Sequence, residues 1–270
     1  MQGRKPEDQM EMRMMTEGEA MHSAAVRRLS STVLLTTEEI EFFEGLQNNR
    51  AQLKPDEKII ADGEEFTASF LIRKGWAMRW HVTPLGRRQI IKIYLPGDFI
   101  GLHVNFRRSA VHNVSALTNV ELAAIEPTRI LDIYRNYPIL AAGLDWSAVR
   151  SFNIISEHNI SLGARPARQR ILHLFLELWC RMLLIEEADD DSFDFPLTQS
   201  QIADICGLSL VHTNKSIQHL RRSGLIVFGK GRLQFPDIDA AVEFCDFDAR
   251  FLGEFRTKRP PHAVLASGTD

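Results

Sequence analysis

The sequence predicts an α+β protein of two domains, in which an antiparallel β-roll of the jelly-roll type precedes a long helix and a smaller, mostly helical domain. Three observations predict this order. Apolar residues recur with a period of two in the first half, every three to four residues after Pro138, and in short blocks separated by glycines in the last third. A chain of 270 residues is long enough for two domains that each bury a core.

Composition excludes several classes of protein. The chain is 44% hydrophobic and has 32 basic and 35 acidic residues, which is typical of a globular protein and gives no overall attraction to nucleic acid. Cys180, Cys206 and Cys245 are too few and too widely spaced for a zinc site, a disulfide framework or a four-cysteine iron–sulfur cluster. Because acidic residues occupy the N-terminus where a secretory signal would be apolar, we expect a cytoplasmic protein. We also expect no metal or other cofactor.

The two ends of the chain lack a sustained apolar stripe. Residues 1–35 mix charges of both signs with methionines and are expected to form a mobile extension, and residues 257–270 a flexible tail. The spacing of Thr36 and Glu39 is that of a capping box, which predicts a short helix at the start of the first domain. We assign that domain to residues 36–134.

Short strands separated by turns fill most of the first domain. Apolar and polar residues alternate before the turn at 83–86, and an apolar strand returns after it, which predicts a hairpin. Strands and turns at steady intervals favour an antiparallel roll. The expected strands are 76–82, 89–95, 111–117 and 120–125.

Residues 135–162 are expected to form a dimerisation helix. Their apolar stripe is narrow and more than twenty residues long, which is typical of a helix that faces a second helix. We expect a parallel dimer; packing of the stripe on the protein's own roll is the alternative. The expected interface residues are Leu140, Leu144, Ala148, Ser151, Ile155, His158 and Leu162.

Residues 163–256 contain two short helices joined by a tight turn. Thr198 and Gln201 form a capping box before the first helix, Gly207 provides a left-handed turn, and Ser209 caps the second helix. This spacing predicts a helix-turn-helix, with Leu210 expected on the inner face of its second helix.

A second hairpin follows the helix-turn-helix. Strand 225–228, a glycine-rich tip at 229–232 and strand 233–235 predict a wing. Between 198 and 232 the only acidic residue is Asp204, whereas the basic residues are Lys215, Arg221, Arg222, Lys230 and Arg232. A local basic patch on an acidic protein indicates that this segment binds the phosphates of double-stranded DNA.

Residue type divides the expected DNA contacts into two groups. His212, Asn214 and Lys215 are candidates for the base edges, because an amide suits adenine and an ammonium suits guanine. The candidates for phosphate contact are Thr198, Gln199, Arg221, Lys230 and Arg232. The other residues assigned to the DNA interface are Ser209, Val211 and Gln218.

Five segments resemble, in the same order, the Crp/Fnr family of bacterial transcription regulators. They are residues 74–77, 86–90, 95–101, 197–226 and 247–252. The resemblance implies a cyclic-nucleotide-binding-like roll, a dimerising helix and a winged helix-turn-helix. It also implies a homodimer that regulates transcription from an inverted-repeat operator, with RNA polymerase as a further partner and no catalytic residue.

The chain departs from the family's pattern at its ligand site. Cyclic-nucleotide binders have Gly-Glu followed by an Arg-Ser-Ala or Arg-Thr-Ala segment; here Leu102 follows the glycine, and Arg108 lies about two positions early. Oxygen-sensing members use an N-terminal cysteine cluster, and this chain has no cysteine before Cys180. We therefore expect either a signal other than cyclic AMP or a roll that is only structural, and we assign no ligand-binding residue.

The recognition helix departs as well. Where well-known members have arginine, glutamate and a second arginine, this chain has Leu210, Val211 and Lys215. We therefore expect a different operator. Three alternatives to the main interpretation are a cyclic-nucleotide-responsive regulator, a ligand-sensing module whose winged helix binds protein, and a cupin-type metal enzyme. The last would need a His-x-His pair, which the sequence lacks.

Overall fold

The computed structural model describes residues 22–65, 67–102 and 109–253. The expected mobile extension up to residue 21, the expected tail and Arg108 lie outside the described residues. Two helices, α1 (Ala24–Ser30) and α2 (Thr37–Gly45), and a 3-10 turn (Leu46–Asn48) precede the first strand. The capping box predicted for α2 is present, since Glu39 N donates to Thr36 Oγ1 (3.3 Å) and Thr36 N donates to Glu39 Oε2 (2.8 Å).

The first domain is an antiparallel roll of two sheets, as predicted. The sheets have the strand orders β1-β8-β3-β6 and β2-β7-β4-β5, and apolar side chains fill the space between them. The strands are β1 (Arg50–Leu53), β2 (Lys58–Ile60), β3 (Ser69–Lys74), β4 (Ala77–Val82), β5 (Arg88–Tyr94), β6 (Phe99–Ile100), β7 (Asn113–Ala116) and β8 (Val120–Ile125).

Helix α1 corrects the expectation that the whole of residues 1–35 is mobile. Val26 and Leu29 are buried in a cluster with α2 and the roll, and Arg28 is buried as well. Gly97 lies directly beneath the helix, where an added Cβ would stand 2.9 Å from Ala24 O. The helix was missed because it is short and because one of its buried side chains carries a charge.

The rest of the chain is mainly helical. Both Pro127 and Pro138 begin helices, in the first turn, where the missing N–H costs nothing. The elements are α3 (Pro127–Asn136), α4 (Pro138–Ala164), α5 (Ala167–Leu183), β9 (Ser192–Asp194), α6 (Gln199–Cys206), α7 (Leu210–Arg222), β10 (Val227–Gly229), β11 (Arg232–Gln234), α8 (Ile238–Cys245) and a 3-10 turn (Ala249–Leu252). Within the described residues, no helix has both the length and the apolar character needed to cross a bilayer.

The long helix α4 packs its predicted dimer stripe against its own chain. Leu140 and Leu144 are buried in the cluster that contains α1 and α2. Ser151 accepts a hydrogen bond from Lys92 Nζ of β5 (2.6 Å), and His158 is bonded to α5. The structure favours the alternative in which this stripe packs on the protein itself, because six of the expected interface residues contact other elements of the chain and Ile155 is half-buried. The expected residues are Leu140, Leu144, Ala148, Ser151, Ile155, His158 and Leu162.

A different stripe of α4 is exposed. Phe152 is 70% exposed, and Val149 and Ile160 are exposed on the same side of the helix. At 3.6 residues per turn, this stripe lies about a third of a turn away from the predicted one. Spacing alone predicted an apolar stripe correctly, but it did not indicate which stripe the protein's own roll covers.

The roll and the C-terminal domain share their largest hydrophobic cluster. Met78, Ile90 and Ile93 of the β4–β5 hairpin belong to the same cluster as Phe175 of α5 and Ile202 of α6. The helix-turn-helix is therefore held directly against the roll.

Candidate nucleic-acid interface

The helix-turn-helix has the local geometry that its sequence predicted. Gln201 N donates to Thr198 Oγ1 (3.2 Å) and Thr198 N donates to Gln201 Oε1 (2.8 Å), which completes the capping box of α6. Gly207 ends α6 with φ 63° and ψ 36°, in the left-handed region that glycine adopts without strain. Ser209 Oγ then accepts from His212 N (3.2 Å) and begins α7.

The inner face of α7 anchors the helix. Thr213, Ile217 and Leu220 are buried, as expected, and Ser216 is buried with them. Leu210 is an exception to the expectation, since it is 55% exposed. It occupies the first helical position, where the chain has only just left the turn and has not reached the core.

The outer face of α7 carries the candidate base contacts. Its exposed residues are Leu210, Val211, His212, Asn214, Lys215, Gln218, Arg221 and Arg222. Residues three to four apart on a helix share a face, so the middle of this set forms one continuous stripe. In a helix-turn-helix the N-terminal residues of the second helix meet the base edges. The structure thus leaves the residues assigned to base contact accessible.

The wing is present as a two-residue hairpin. Lys230 and Gly231 both have positive φ angles, 54° and 73°, as a tight primed turn requires. Strand β10 pairs with β11, and β11 also pairs with β9, which the sequence analysis did not predict. Lys230 is exposed at the tip.

Arg232 differs from the other basic residues of the interface. Its guanidinium forms ion pairs with Asp189 and with Asp194 (3.2 Å), and it donates to Ser192 Oγ (2.9 Å). The acidic segment before the wing therefore neutralises this charge. The assignment of Arg232 to phosphate contact stays a prediction, and in this conformation two carboxylates already pair with its guanidinium. Sequence spacing did not show that β9 lies beside β11.

Three other assigned residues have structural roles or are less accessible. The hydroxyls of Thr198 and Ser209 are used as helix caps, and Gln199 is half-buried. Asp204, the one acidic residue of the segment, pairs with Arg88 of the roll (2.7 Å). Gln89 Nε2 also donates to Ile205 O at the end of α6 (3.0 Å). These partners are 116 residues apart, and no local pattern could have predicted them.

A buried group of charges, here called the junction network, fixes the C-terminal domain to the roll. It consists of Arg28, Asp98, His158, Glu177 and Arg181. Asp98 accepts from Arg28 (2.6 Å) and Arg181 (2.7 Å). Glu177 accepts from Arg181 (2.9 Å) and is bonded to His158 Nε2 (2.5 Å). The network therefore connects α1, the roll, α4 and α5.

The pKa values of the network follow from its pairing. Burial acts to raise the pKa of Asp98, but Arg28 and Arg181 hold it well below its usual range. Burial also opposes ionisation of Glu177, yet His158 and Arg181 lower its pKa to about 2. Burial acts to lower the pKa of His158, but the Glu177 carboxylate raises it above its usual value. Each group of the network thus has a partner of opposite charge.

Comparison with known proteins identifies both parts of the chain. The model of the cyclic nucleotide-binding domain matches residues 50–137, and the model of the Crp-like helix-turn-helix domain matches residues 169–240. Together they cover more than half of the chain. The chain belongs to the Crp/Fnr family. It is therefore a DNA-binding transcription regulator, and its family consists of regulators rather than enzymes.

Individual relatives of this Crp/Fnr protein agree with that assignment. The nitrogen fixation regulation protein FixK of Bradyrhizobium diazoefficiens is 25% identical over 82% of this chain and 91% of its own length. The transcriptional activator protein FnrL of Cereibacter sphaeroides is 26% identical over 82% of this chain and 88% of its own. The structure of FixK2 from Bradyrhizobium japonicum superposes with a TM-score of 0.63 at 19% identity, covering 72% of this chain and 95% of FixK2, a likeness of fold.

Proposed function

We propose that the protein is a cytoplasmic, non-enzymatic regulator that binds an inverted-repeat operator as a homodimer. The observation that carries the proposal is the outer face of α7, an exposed stripe with both base-reading and basic side chains on a helix fixed by the Ser209 cap and a buried inner face. A two-fold dimer presents two such helices to successive turns of the major groove.

In vitro selection from random duplex DNA at a stated salt concentration tests this proposal. We expect inverted repeats with half-site centres about 34 Å apart, one turn of DNA. The affinity of the protein for random duplex should depend strongly on the salt concentration and little on the sequence. Selected sites without two-fold symmetry would contradict the proposal.

The dimer is proposed to form through the exposed stripe of α4. Val149, Phe152 and Ile160 are apolar, exposed and spaced by three and eight residues, so they share one side of a helix of 27 residues. A second copy of the chain is the occupant that fits, because two identical stripes related by a two-fold axis cover each other as in a coiled coil.

A charge introduced into that stripe separates dimerisation from folding. Phe152→Glu should shift the protein to monomer in sedimentation equilibrium, since a carboxylate in the seam would lose its hydration. Leu85→Glu is the matched control, because Leu85 is also an exposed apolar residue but lies on the β4–β5 turn. At the same low protein concentration, both variants should have the free energy of unfolding of wild type. A dimeric F152E protein would exclude this seam.

Leu210 and Val211 supply an apolar contact that polar base readers do not. Val211 is 66% exposed at the start of α7, where apolar side chains can meet thymine methyl groups. We propose that each half-site contains a thymine opposite Val211. Replacing that thymine with uracil should weaken binding by wild type about as much as Val211→Ala does, and the two changes together should add little. Additive losses would contradict this contact.

The roll is proposed to sense a signal other than cyclic AMP and so to change the affinity for DNA. Leu102, at the position of the ribose-binding glutamate of cyclic-nucleotide receptors, is buried in an apolar cluster with α1 and α2. Cyclic AMP or cyclic GMP should therefore leave the melting temperature and the operator affinity unchanged. Stabilisation that is lost on Arg108→Ala would restore the cyclic-nucleotide alternative.

The bound dimer is proposed to activate transcription through RNA polymerase. The support is that FnrL, a relative over most of the chain, is named a transcriptional activator. Transcription in vitro from a promoter with the selected operator upstream should rise when the protein is added. A fall in transcript from the same template would identify a repressor.

A further inference from the structure

The end of α6 is tied to the roll by side chains of one hairpin strand. Arg88, the first residue of β5, donates to Asp204 Oδ2 from Nε and lies equally close through Nη2, at 2.7 Å in both cases. The next residue, Gln89, donates from Nε2 to Ile205 O (3.0 Å). Two consecutive residues of the roll therefore hold two consecutive residues of the first helix of the helix-turn-helix. We call these contacts the hairpin latch.

The latch uses groups that the end of a helix leaves free. The last carbonyl groups of an α-helix have no partner within the helix, and they carry partial negative charge. In α6, Ile205 O accepts from Gln89, and Cys206 O accepts from Arg170 Nη1 of α5 (2.6 Å). The positive charge of Arg88 also lies near this negative end. The end of α6 is thus bonded both to the roll and to α5.

The ion pair of the latch is partly shielded from water. The side chains of Arg88 and Asp204 are 34% and 24% exposed, and Ile90 of the same strand packs in one cluster with Ile202 of α6. A partly exposed ion pair adds little to stability, but it favours one relative placement of the two surfaces that carry it. Reversing one of the two charges would turn the attraction into a repulsion at the same place.

The junction network attaches the C-terminal domain to the roll at a second point. Arg181 of α5 donates to Asp98 and to Ile93 O (2.8 Å). Along α5, Arg181 and Arg170 are separated by about 16 Å, at 1.5 Å per residue. One attachment would let the domain turn about the junction network, whereas two separated attachments fix its orientation. A turn of about 12° over this distance would move the end of α6 by about 3.4 Å, the rise of one base pair.

We propose that Arg88 is a positioning residue of the DNA interface, which acts through Asp204 to set the half-site spacing that the dimer accepts. The inference rests on the proposed function, since only a dimer on an inverted repeat has such a spacing. Helix α7 follows α6 after the turn at Gly207, so the orientation of α6 determines that of α7. One additional base pair between the half-sites separates them by about 3.4 Å and rotates them by about 35°.

Operators of two spacings test the proposal. The operator obtained by selection is compared with the same operator carrying one additional central base pair. Wild type should bind the longer operator at least about thirtyfold more weakly, because its second α7 is out of register. Arg88→Glu places a second carboxylate against Asp204 and should reduce that ratio about fivefold. The ratio of the two affinities cancels any uniform effect of the changed charge on DNA binding.

A charge swap and a neighbouring arginine provide the controls. Combining R88E with Asp204→Arg restores an attraction and should return the ratio to within about twofold of wild type. Arg87→Glu makes the same change of charge at an exposed position beside the latch and should leave the ratio unchanged. Asp204→Asn, which removes the charge but keeps the shape of the side chain, should lower the ratio about threefold. This variant decides the question if R88E does not fold.

The orientation of the helix-turn-helix in the free protein is a second measurement. Spin labels are attached through Lys54→Cys in the roll and Ser223→Cys after α7; both positions are exposed, whereas the native cysteines are buried. Labelled protein is mixed with an excess of unlabelled protein, so that double electron–electron resonance records distances within one protomer. The distribution of distances should be broader in R88E than in wild type and in R87E.

The outcomes separate this inference from the proposed function. If R88E keeps both the affinity ratio and the distance distribution of wild type, the latch does not position α7, whatever operator is selected. If the distribution broadens but the ratio is unchanged, the latch does not set the spacing, and the inference is likewise overturned. If no inverted repeat is selected, the proposed function fails, and the distance distribution still decides whether Arg88 fixes the orientation of the helix-turn-helix.

Discussion

Arginine and lysine side chains serve opposite purposes in two regions of this protein. In the junction network Arg28 and Arg181 are buried, and each is bonded to a carboxylate and to a backbone carbonyl. On the outer face of α7, Lys215 and Arg221 are exposed. Buried charges must be matched within the fold, whereas exposed charges remain available to a partner. Residue type alone does not distinguish these uses; the position of each side chain in the fold does.

The largest effect should come from breaking the junction network. Asp98→Ala leaves Arg28 and Arg181 buried without their shared carboxylate, which should lower the free energy of unfolding by about 3–5 kcal/mol. Asp132→Ala, which removes the partner of Arg129 on the surface of α3, should cost less than about 1 kcal/mol. Urea unfolding measures both. Similar losses of unfolding free energy in the two variants would show that burial does not determine how much an ion pair stabilises the protein.

The comparison extends to histidine and predicts a dependence on pH. Burial lowers the pKa of His173 to about 3, so the folded protein keeps this imidazole neutral while the unfolded chain gains a proton below its usual value of 6.5. Stability should therefore fall as pH decreases from 6.5 towards 3. Between pH 7.5 and 4.5, the free energy of unfolding should fall by about 3 kcal/mol less in His173→Phe than in wild type.

The matched control for that experiment is His212→Phe. His212 is exposed on α7, so its replacement removes a histidine but no buried imidazole. Parallel pH profiles for wild type and H173F would contradict the effect assigned to burial.

Replacing exposed residues of α7 should affect DNA binding and not stability. Asn214→Ala and Lys215→Ala should each weaken binding to the selected operator by about 1–3 kcal/mol and relax specificity at one base pair. Their unfolding should stay within about 0.5 kcal/mol of wild type. Equal losses of affinity for operator and for random DNA would show that these residues contact phosphates and not bases.

The smallest expected effect distinguishes the two basic residues of the wing. Lys230→Ala should reduce the slope of log affinity against log salt by about one unit on every sequence. Arg232→Ala should reduce it less, because Asp189 and Asp194 already neutralise the guanidinium. A full unit for Arg232 would mean that DNA displaces the two carboxylates.

Local signals in the sequence predicted most of the fold and of the candidate interface. The local sequence was sufficient to predict the caps and the tight turn, because these features act within a few residues. They are the caps at Thr36, Thr198 and Ser209 and the turn at Gly207. The covered face of α4, the junction network and the carboxylates around Arg232 depend on which distant segments meet. A period of 3.5 predicts that a helix has a partner, but it does not state which of two apolar stripes meets the roll.

The attachment of α1 has a consequence for biosynthesis. Arg27 Nε donates to Ile185 O (2.8 Å), a partner 158 residues further along the chain. A ribosome adds about 5–20 residues per second, so α1 leaves the ribosome on the order of 10–30 s before this partner exists. Until then the helix can dock only on the roll. The contact between α1 and the C-terminal domain is therefore made last.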